Sequence, residues 1–143
     1  MIKLKSLLPE QIITQTRNDF ANSVDVSELK SELGVDSNTF WILFDKVVND
    51  LNKLPNPIPV YRGIQADEVD YKNLGKHWTY EKEKAKAYFG GPNPKANLIV
   101  LQGTIDKQYI NQIETIARNI LSSNEKEILI DNPSKVVLNT LKK

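Results

Sequence analysis

Pro59-Val60-Tyr61-Arg62-Gly63-Ile64 reads as a strand, with an arginine at a position where its neighbours predict a buried apolar residue. The chain has three arginines against sixteen lysines. A cation placed here as arginine therefore points to a need for the planar, permanently charged guanidinium fork, which matches phosphate or carboxylate. Gly63 beside it would let a ligand approach the backbone closely.

Immediately upstream, Leu54-Pro55-Asn56-Pro57-Ile58-Pro59 carries prolines at alternate positions. Each lacks an N–H donor and pushes the preceding residue towards extended geometry, so helix ends here and strand begins. Before this boundary the pattern is helical. Pro9 and Glu10 suit a first turn, and Ile12, Ile13, Thr16 and Phe20 give a stripe for a helix over 9–21. Asp25-Val26-Ser27-Glu28 has capping-box spacing, with Leu29 and Leu33 as apolar contacts and Gly34 as a stop. Ser37 is the expected N-cap of the clearest helix, where Phe40, Trp41, Phe44, Val47, Val48 and Leu51 recur on one face.

Downstream, β signals dominate. A polar loop over 65–76 leads to a short strand, His77-Trp78-Thr79. A helix over 81–89 follows, with Thr79 or Tyr80 near its N-cap and Gly90-Gly91-Pro92 ending it. The most apolar run, Leu98 to Ile105, predicts a central strand. Asp106 is placed to cap a helix carrying Ile110, Ile113, Ile116, Ala117 and Ile120, which Ser122-Ser123-Asn124 breaks. Glu127 to Ile130 and Lys135 to Thr140 read as strands on either side of an Asp131-Asn132-Pro133-Ser134 turn. Helices first and strands later make an α+β domain. The expected organisation is one domain over 1–143, with a helical lobe (1–54) on a β-rich core (58–143), because neither part has enough apolar surface to stand by itself.

Composition narrows the function. The 143 residues, 40% hydrophobic and 26% charged, can bury a core without staples. A net charge of +1 gives no global field that recruits nucleic acid. The absence of cysteine removes disulfides and thiolate chemistry, and the single histidine, His77, cannot build a His-rich zinc site. Met1 to Glu10 lacks the apolar run of a signal peptide, and no later stretch reads as a membrane span. The expectation is a cytoplasmic protein, or one acting in a host cytoplasm, without a membrane partner.

Arg62, Thr79 and Glu125-Lys126-Glu127 are the notable points of the β-rich part. Along an extended segment side chains alternate, which would send Glu125 and Glu127 to one side and Lys126 to the other. Together, Tyr61-Arg62-Gly63, a hydroxyl residue followed by a helix, and Glu-x-Glu before an apolar strand resemble the Arg-Ser-Glu class of mono-ADP-ribosyltransferases, the toxin-like, Glu-x-Glu group. The order matches over roughly residues 58–141. Asn124 to Val137 is similar to that family's catalytic loop, catalytic strand and terminal hairpin, and Ala85-x-x-Tyr88 to the helix after its serine motif. Ser-Thr-Ser is replaced by His77-Trp78-Thr79, which keeps one hydroxyl.

The resemblance implies a fold with N-terminal helices packed on a two-sheet β core, and NAD as co-substrate. It implies Glu127 as the catalytic carboxylate on the ribose 2′-hydroxyl, stabilising an oxocarbenium-like transition state. Glu125 would face the acceptor, an arginine of a protein. Arg62 would hold the NAD phosphates, Thr79 would orient Glu127 or the ribose, and Trp78, Tyr80 or Tyr88 would pack against nicotinamide. Lys95, in the loop 90–96, would add a phosphate contact. The same residues also have plain readings. Arg62 can pair with a buried acid such as Glu127, Thr79 can be an N-cap, and Trp78, Tyr88 and Phe89 can be packing. His77 can be a hydrogen-bonding residue, Glu125 and Glu127 can form a solvated cluster with Lys126, and Lys82, Lys84 and Lys86 can form a solvated helix face. The rival function is a catalytically inactive domain of the same fold that binds a protein or nucleotide. A nucleic-acid acceptor is a third, against which the near-neutral charge counts.

Overall fold

The computed structural model of the chain describes residues 16–65, 70, 72–88 and 98–139. Helix α1 (Arg17–Ser23) opens at Thr16, whose hydroxyl accepts the Asp19 N–H while the Asp19 carboxylate takes the Thr16 N–H. Thr16 is thus a cap rather than part of an apolar stripe. The expected helix is corrected to run on to Ser23, and the start proposed for it at Pro9 lies outside the described residues. Helix α2 (Val26–Leu33) is capped by Asp25 and stopped by Gly34 at φ 69, as its spacing predicts. Helix α3 (Ser37–Asn52) is capped by Asp36 rather than Ser37. The Asp36 carboxylate accepts the Thr39 N–H at 2.9 Å and sets a negative charge against the helix N-terminus.

Strands β1 (Ile58–Gln65), β2 (His77–Thr79), β3 (Leu98–Ile105), β4 (Glu127–Leu129) and β5 (Val137–Leu138) form one antiparallel sheet in the order β4-β2-β1-β3-β5. The protein is mixed α+β, with five helices and this five-stranded sheet among the described residues. Helix α4 (Lys82–Tyr88) follows β2, and α5 (Gln112–Leu121) separates β3 from β4. The two-sheet expectation is corrected by β1, which pairs on one side with β2 and on the other with β3 from Ile58↔Ile105 to Gln65↔Leu98, tying all strands into one layer. The expected terminal hairpin is corrected as well. β4 and β5 lie at opposite edges, because β4 adds to β2 and β5 adds to β3.

Two further boundaries differ from the sequence reading. Asp106 caps only a 3₁₀ turn, Lys107–Tyr109, and Asn111 caps α5 by accepting the Glu114 N–H. Pro133–Lys135 is also a 3₁₀ turn, capped by Asn132, which delays the last strand to Val137.

A single apolar cluster joins both halves of the chain. Phe20, Phe40, Phe44 and Leu51 from the helices meet Ile58, Val60, Trp78 and Ile128 from the sheet and Ile116 and Ile120 from α5. Phe20 and Phe44 lie with centroids 5.1 Å apart. Buried Lys107 adds a polar tie: its ammonium donates to the Asn52 carbonyl at the C-terminal end of α3, where the helix dipole favours a cation. No helix among the described residues is long and apolar enough to cross a membrane.

Gly103 shows how closely β5 is laid on β3. A Cβ there would stand 2.6 Å from the Val137 carbonyl oxygen and 2.9 Å from Val136 Cγ1. The obstructing atom is backbone, so it cannot swing aside. Gly103→Ala is expected to destabilise the protein by about 1–3 kcal/mol, read as a lower urea midpoint with an unchanged slope.

Candidate functional site

In β1, Ile58 and Val60 point into the core, and alternation carries Arg62 to the same face. Across the sheet, Tyr61, Thr79 and Glu127 stand in one row, because Tyr61 pairs with Thr79 and Thr79 with Glu127. A flat ladder would therefore separate Arg62 from Glu127. They share a cleft because β1 and β2 are paired at the single position Tyr61↔Thr79 among the described residues, and a cavity of about 210 Å³ opens where they part. Its walls are Tyr61, Arg62 and Gly63 of β1, His77, Trp78 and Thr79 of β2, Lys84 and Ala85 of α4, and Asn124, Glu125 and Glu127.

Arg62 is positioned by backbone. Its Nη1 donates to the His77 carbonyl at 2.7 Å, and the guanidinium lies flat against Gly75. A Cβ on Gly75 would be 2.9 Å from Arg62 Cζ, and Gly75 stands at φ 92, which side chains rarely adopt. The Gly75 carbonyl in turn accepts the Trp78 indole N–H at 2.9 Å. Trp78 is only 2% exposed and belongs to the core cluster, so its packing reading is the structural one even though it edges the cleft.

Thr79, 7% exposed, has two local tasks. Its hydroxyl lies 2.9 Å from the carbonyls of both Glu125 and Lys126, and it accepts the Glu81 N–H ahead of α4. It thus ties down the backbone between the two glutamates and the turn that leads into the following helix, whose first carbonyl acceptor is Glu81 rather than Thr79.

Glu125 and Glu127 do line the same cleft, but not by simple alternation. Ser123–Glu125 is a 3₁₀ turn, and Lys126 sits in the left-handed region at φ 50, ψ 53. That conformation costs a non-glycine residue about 1–3 kcal/mol, and the carbonyl grip of Thr79 and the Tyr80 N–H on Lys126 hold it. Lys126 is turned to a second cavity with Lys46, Asp50 and Tyr80. Tyr80 lines that second cavity and is not among the residues lining the cleft. Its phenol is pushed up to about 12 by burial and then by the nearby Asp50 and Glu81 charges.

Glu127 is 6% exposed and is held from α5 as well as from β2. Arg118 Nε lies 3.4 Å from its Oε1 and His77 Nδ1 3.5 Å. The outer edge of β4, which pairs with no further strand among the described residues, is closed by side chains of α5. Asn119 donates to the Glu127 carbonyl at 2.8 Å, and the Thr115 hydroxyl accepts the Leu129 N–H at 3.0 Å. The acid expected to pair with Arg62 is thus met by Arg118 instead.

The Glu125 carboxyl is raised above the usual glutamate range, first by its hydrogen bond to Glu127, then by burial and the Glu127 charge, with Arg118 and Lys84 opposing. The folded chain therefore binds this proton more tightly than the unfolded one. The associated stability is present below the ordinary glutamate range and is lost as pH rises through the raised value. Glu125→Gln is expected to raise the urea midpoint at neutral pH and to leave it unchanged below that range.

Six of the nine candidate site residues named from sequence meet here: Arg62, Gly63, Trp78, Thr79, Glu125 and Glu127. Tyr88 ends α4, with its side chain outside what the structure describes, and Lys95 lies outside the described residues. Sequence reasoning missed Gly75, Lys84, Arg118, Asn119 and Thr115. Lys84 was read as a solvated face, yet it is half-buried at the cleft. Arg118 carried one available signal, being one of only three arginines. No protein family, curated protein or solved structure matches the chain.

Proposed function

We propose that this protein is an NAD-dependent mono-ADP-ribosyltransferase with an ADP-ribosyltransferase-like fold. The observation that carries the reading is the meeting of Arg62, Thr79, Glu125 and Glu127 at one cleft, from three adjacent strands and the turn before β4. In the reaction the bond between nicotinamide nitrogen and ribose C1′ breaks, and nicotinamide leaves with the electron pair. A nitrogen of an acceptor arginine then bonds to C1′ and gives up a proton. Positive charge develops on the ribose, and a carboxylate fixed beforehand beneath it stabilises that state more than the ground state.

Glu127 is the residue for this task, since its backbone is clamped on both sides of β4. Arg62 supplies a cation for the phosphates, and Lys84 of α4 is a second cation lining the same cleft. Glu125 faces the acceptor and takes its proton. The acceptor is a protein; a nucleic acid fits the near-neutral net charge less well.

A second reading is a catalytically inactive domain of this fold that binds a protein or nucleotide. It is favoured by the engagement of Arg62 with the His77 carbonyl, which occupies one arm of the fork. The two are separated by incubating the purified chain with NAD, with and without arginine-rich protein, and measuring nicotinamide by chromatography and ADP-ribose by mass. Release of nicotinamide with a mass gain on the acceptor supports the transferase. NAD binding without consumption supports the binding domain.

A further inference from the structure

The second cavity, beside Lys126, has a volume of about 150 Å³, lies between α3 and α5, and shares no lining residue with the cleft. Its inner wall is apolar: Val47 and Leu51 of α3 and Ile120 of α5 are all buried. A cavity of this size among aliphatic side chains holds one benzene ring. The polar groups around that space decide what the ring must carry. Asn119 of α5 lines it and is 4% exposed. Its amide nitrogen commits both hydrogens elsewhere, donating to the Thr115 carbonyl at 2.7 Å and to the Glu127 carbonyl at 2.8 Å. These two donations fix which end of the amide is nitrogen, and among the described residues no donor meets its oxygen. A buried amide oxygen beside a cavity calls for a donor on whatever fills it.

The mouth has the opposite character. Lys126 and Tyr80 are half-buried there. Lys126 holds a left-handed backbone, φ 50, that glycine or asparagine adopts at less cost, and its side chain is brought to the cavity in this conformation. Lys46 and Asp50, also on the rim, neutralise one another through a 3.1 Å ion pair. Among the lining residues the uncompensated charge is therefore that of Lys126, and the Tyr80 hydroxyl adds a neutral donor.

We propose that this cavity is a binding site for a small single-ring carboxylate that carries a hydrogen-bond donor at the far end of the ring. The donor meets the Asn119 amide oxygen, the ring packs on Val47, Leu51 and Ile120, and the carboxylate is held by Lys126 and the Tyr80 hydroxyl. 4-Hydroxybenzoate has this pattern. None of these residues lines the cleft, so the site stands whether or not the chain consumes NAD.

The test titrates the full chain, with Ile, Leu and Val methyls labelled with ¹³C, against 4-hydroxybenzoate at up to millimolar concentration. Saturable shifts of the Val47, Leu51 and Ile120 methyl signals are expected. Benzoate, which lacks the donor, and phenol, which lacks the charge, are each expected to bind about tenfold more weakly. Lys126→Asn removes the ammonium and keeps a residue that tolerates the left-handed backbone, so it is expected to fold. It should weaken 4-hydroxybenzoate by about tenfold and leave phenol unchanged. Absence of shifts at these methyls overturns the inference. Benzoate binding as tightly as 4-hydroxybenzoate would also overturn it, because the Asn119 oxygen would then have no part in recognition. An equal loss for phenol and 4-hydroxybenzoate in Lys126→Asn would do the same, by showing a distorted cavity rather than a lost charge contact.

Discussion

Glu127→Gln is expected to reduce nicotinamide release from NAD by about 10²–10³-fold, the scale on which one preorganised electrostatic group contributes to a transition state. The substitution keeps the shape and one acceptor oxygen but removes the charge opposite the developing cation. The loss should fall on kcat rather than on KM, because NAD in its ground state carries no comparable charge on the ribose. Stability should change little. The partner left behind, Arg118, is 44% exposed and can return to water, and the like charge facing Glu125 is removed. A variant that folds, binds NAD and turns it over at the wild-type rate would remove Glu127 from the chemistry. Comparing single-turnover rates with NAD titrations of the same preparations reads both quantities.

Gly75→Ala is expected to weaken NAD binding by about 10–100-fold, close to the effect of Arg62→Ala, although residue 75 does not line the cleft. The cause is steric and local. The added methyl would stand 2.9 Å from Arg62 Cζ and 3.0 Å from Nη2, so the guanidinium must leave its seat. The backbone at φ 92 adds strain of about 1–3 kcal/mol. Because both changes act through the same side chain, the double variant Arg62→Ala, Gly75→Ala should bind NAD no more weakly than Arg62→Ala alone. Additive losses would show that Gly75 acts by another route. The measurement is a KM for NAD in each of the four proteins, with urea midpoints alongside to separate strain from ligand contact.

Much of the site was legible because its parts carry local signatures. Arg62 stood out against the apolar alternation of its own strand, and the Glu-x-Glu spacing preceded an apolar run. Even there, the reason the glutamates share a side was hidden. Alternation predicts it for a strand, whereas the chain achieves it with a 3₁₀ turn and a left-handed Lys126. The wrong choice of cap at Ser37 and the early helix start at Asp106 have a related origin, since in each case two nearby polar residues of capping type, Asp36 and Ser37 or Asp106 and Asn111, are available and residue type does not choose between them.

The sequence by itself determined what depends on a few consecutive residues. The prolines over 55–59 ended α3 and opened β1, Asp25 and Gly34 bounded α2, and Leu98 to Ile105 read as a central strand, which it is. Backbone dihedral limits and hydrogen bonds spanning three or four residues enforce these features, and both are written in residue type. Tertiary structure alone decided that β4 and β5 take opposite edges and that β1 and β2 part to open the cleft. It also decided that Gly75 underlies Arg62 and that Arg118 rather than Arg62 meets Glu127. These depend on which surfaces meet across tens of residues. An arginine or glutamate has the same sequence signature whether it ends in water or against its opposite charge, so only the packed chain assigns its partner.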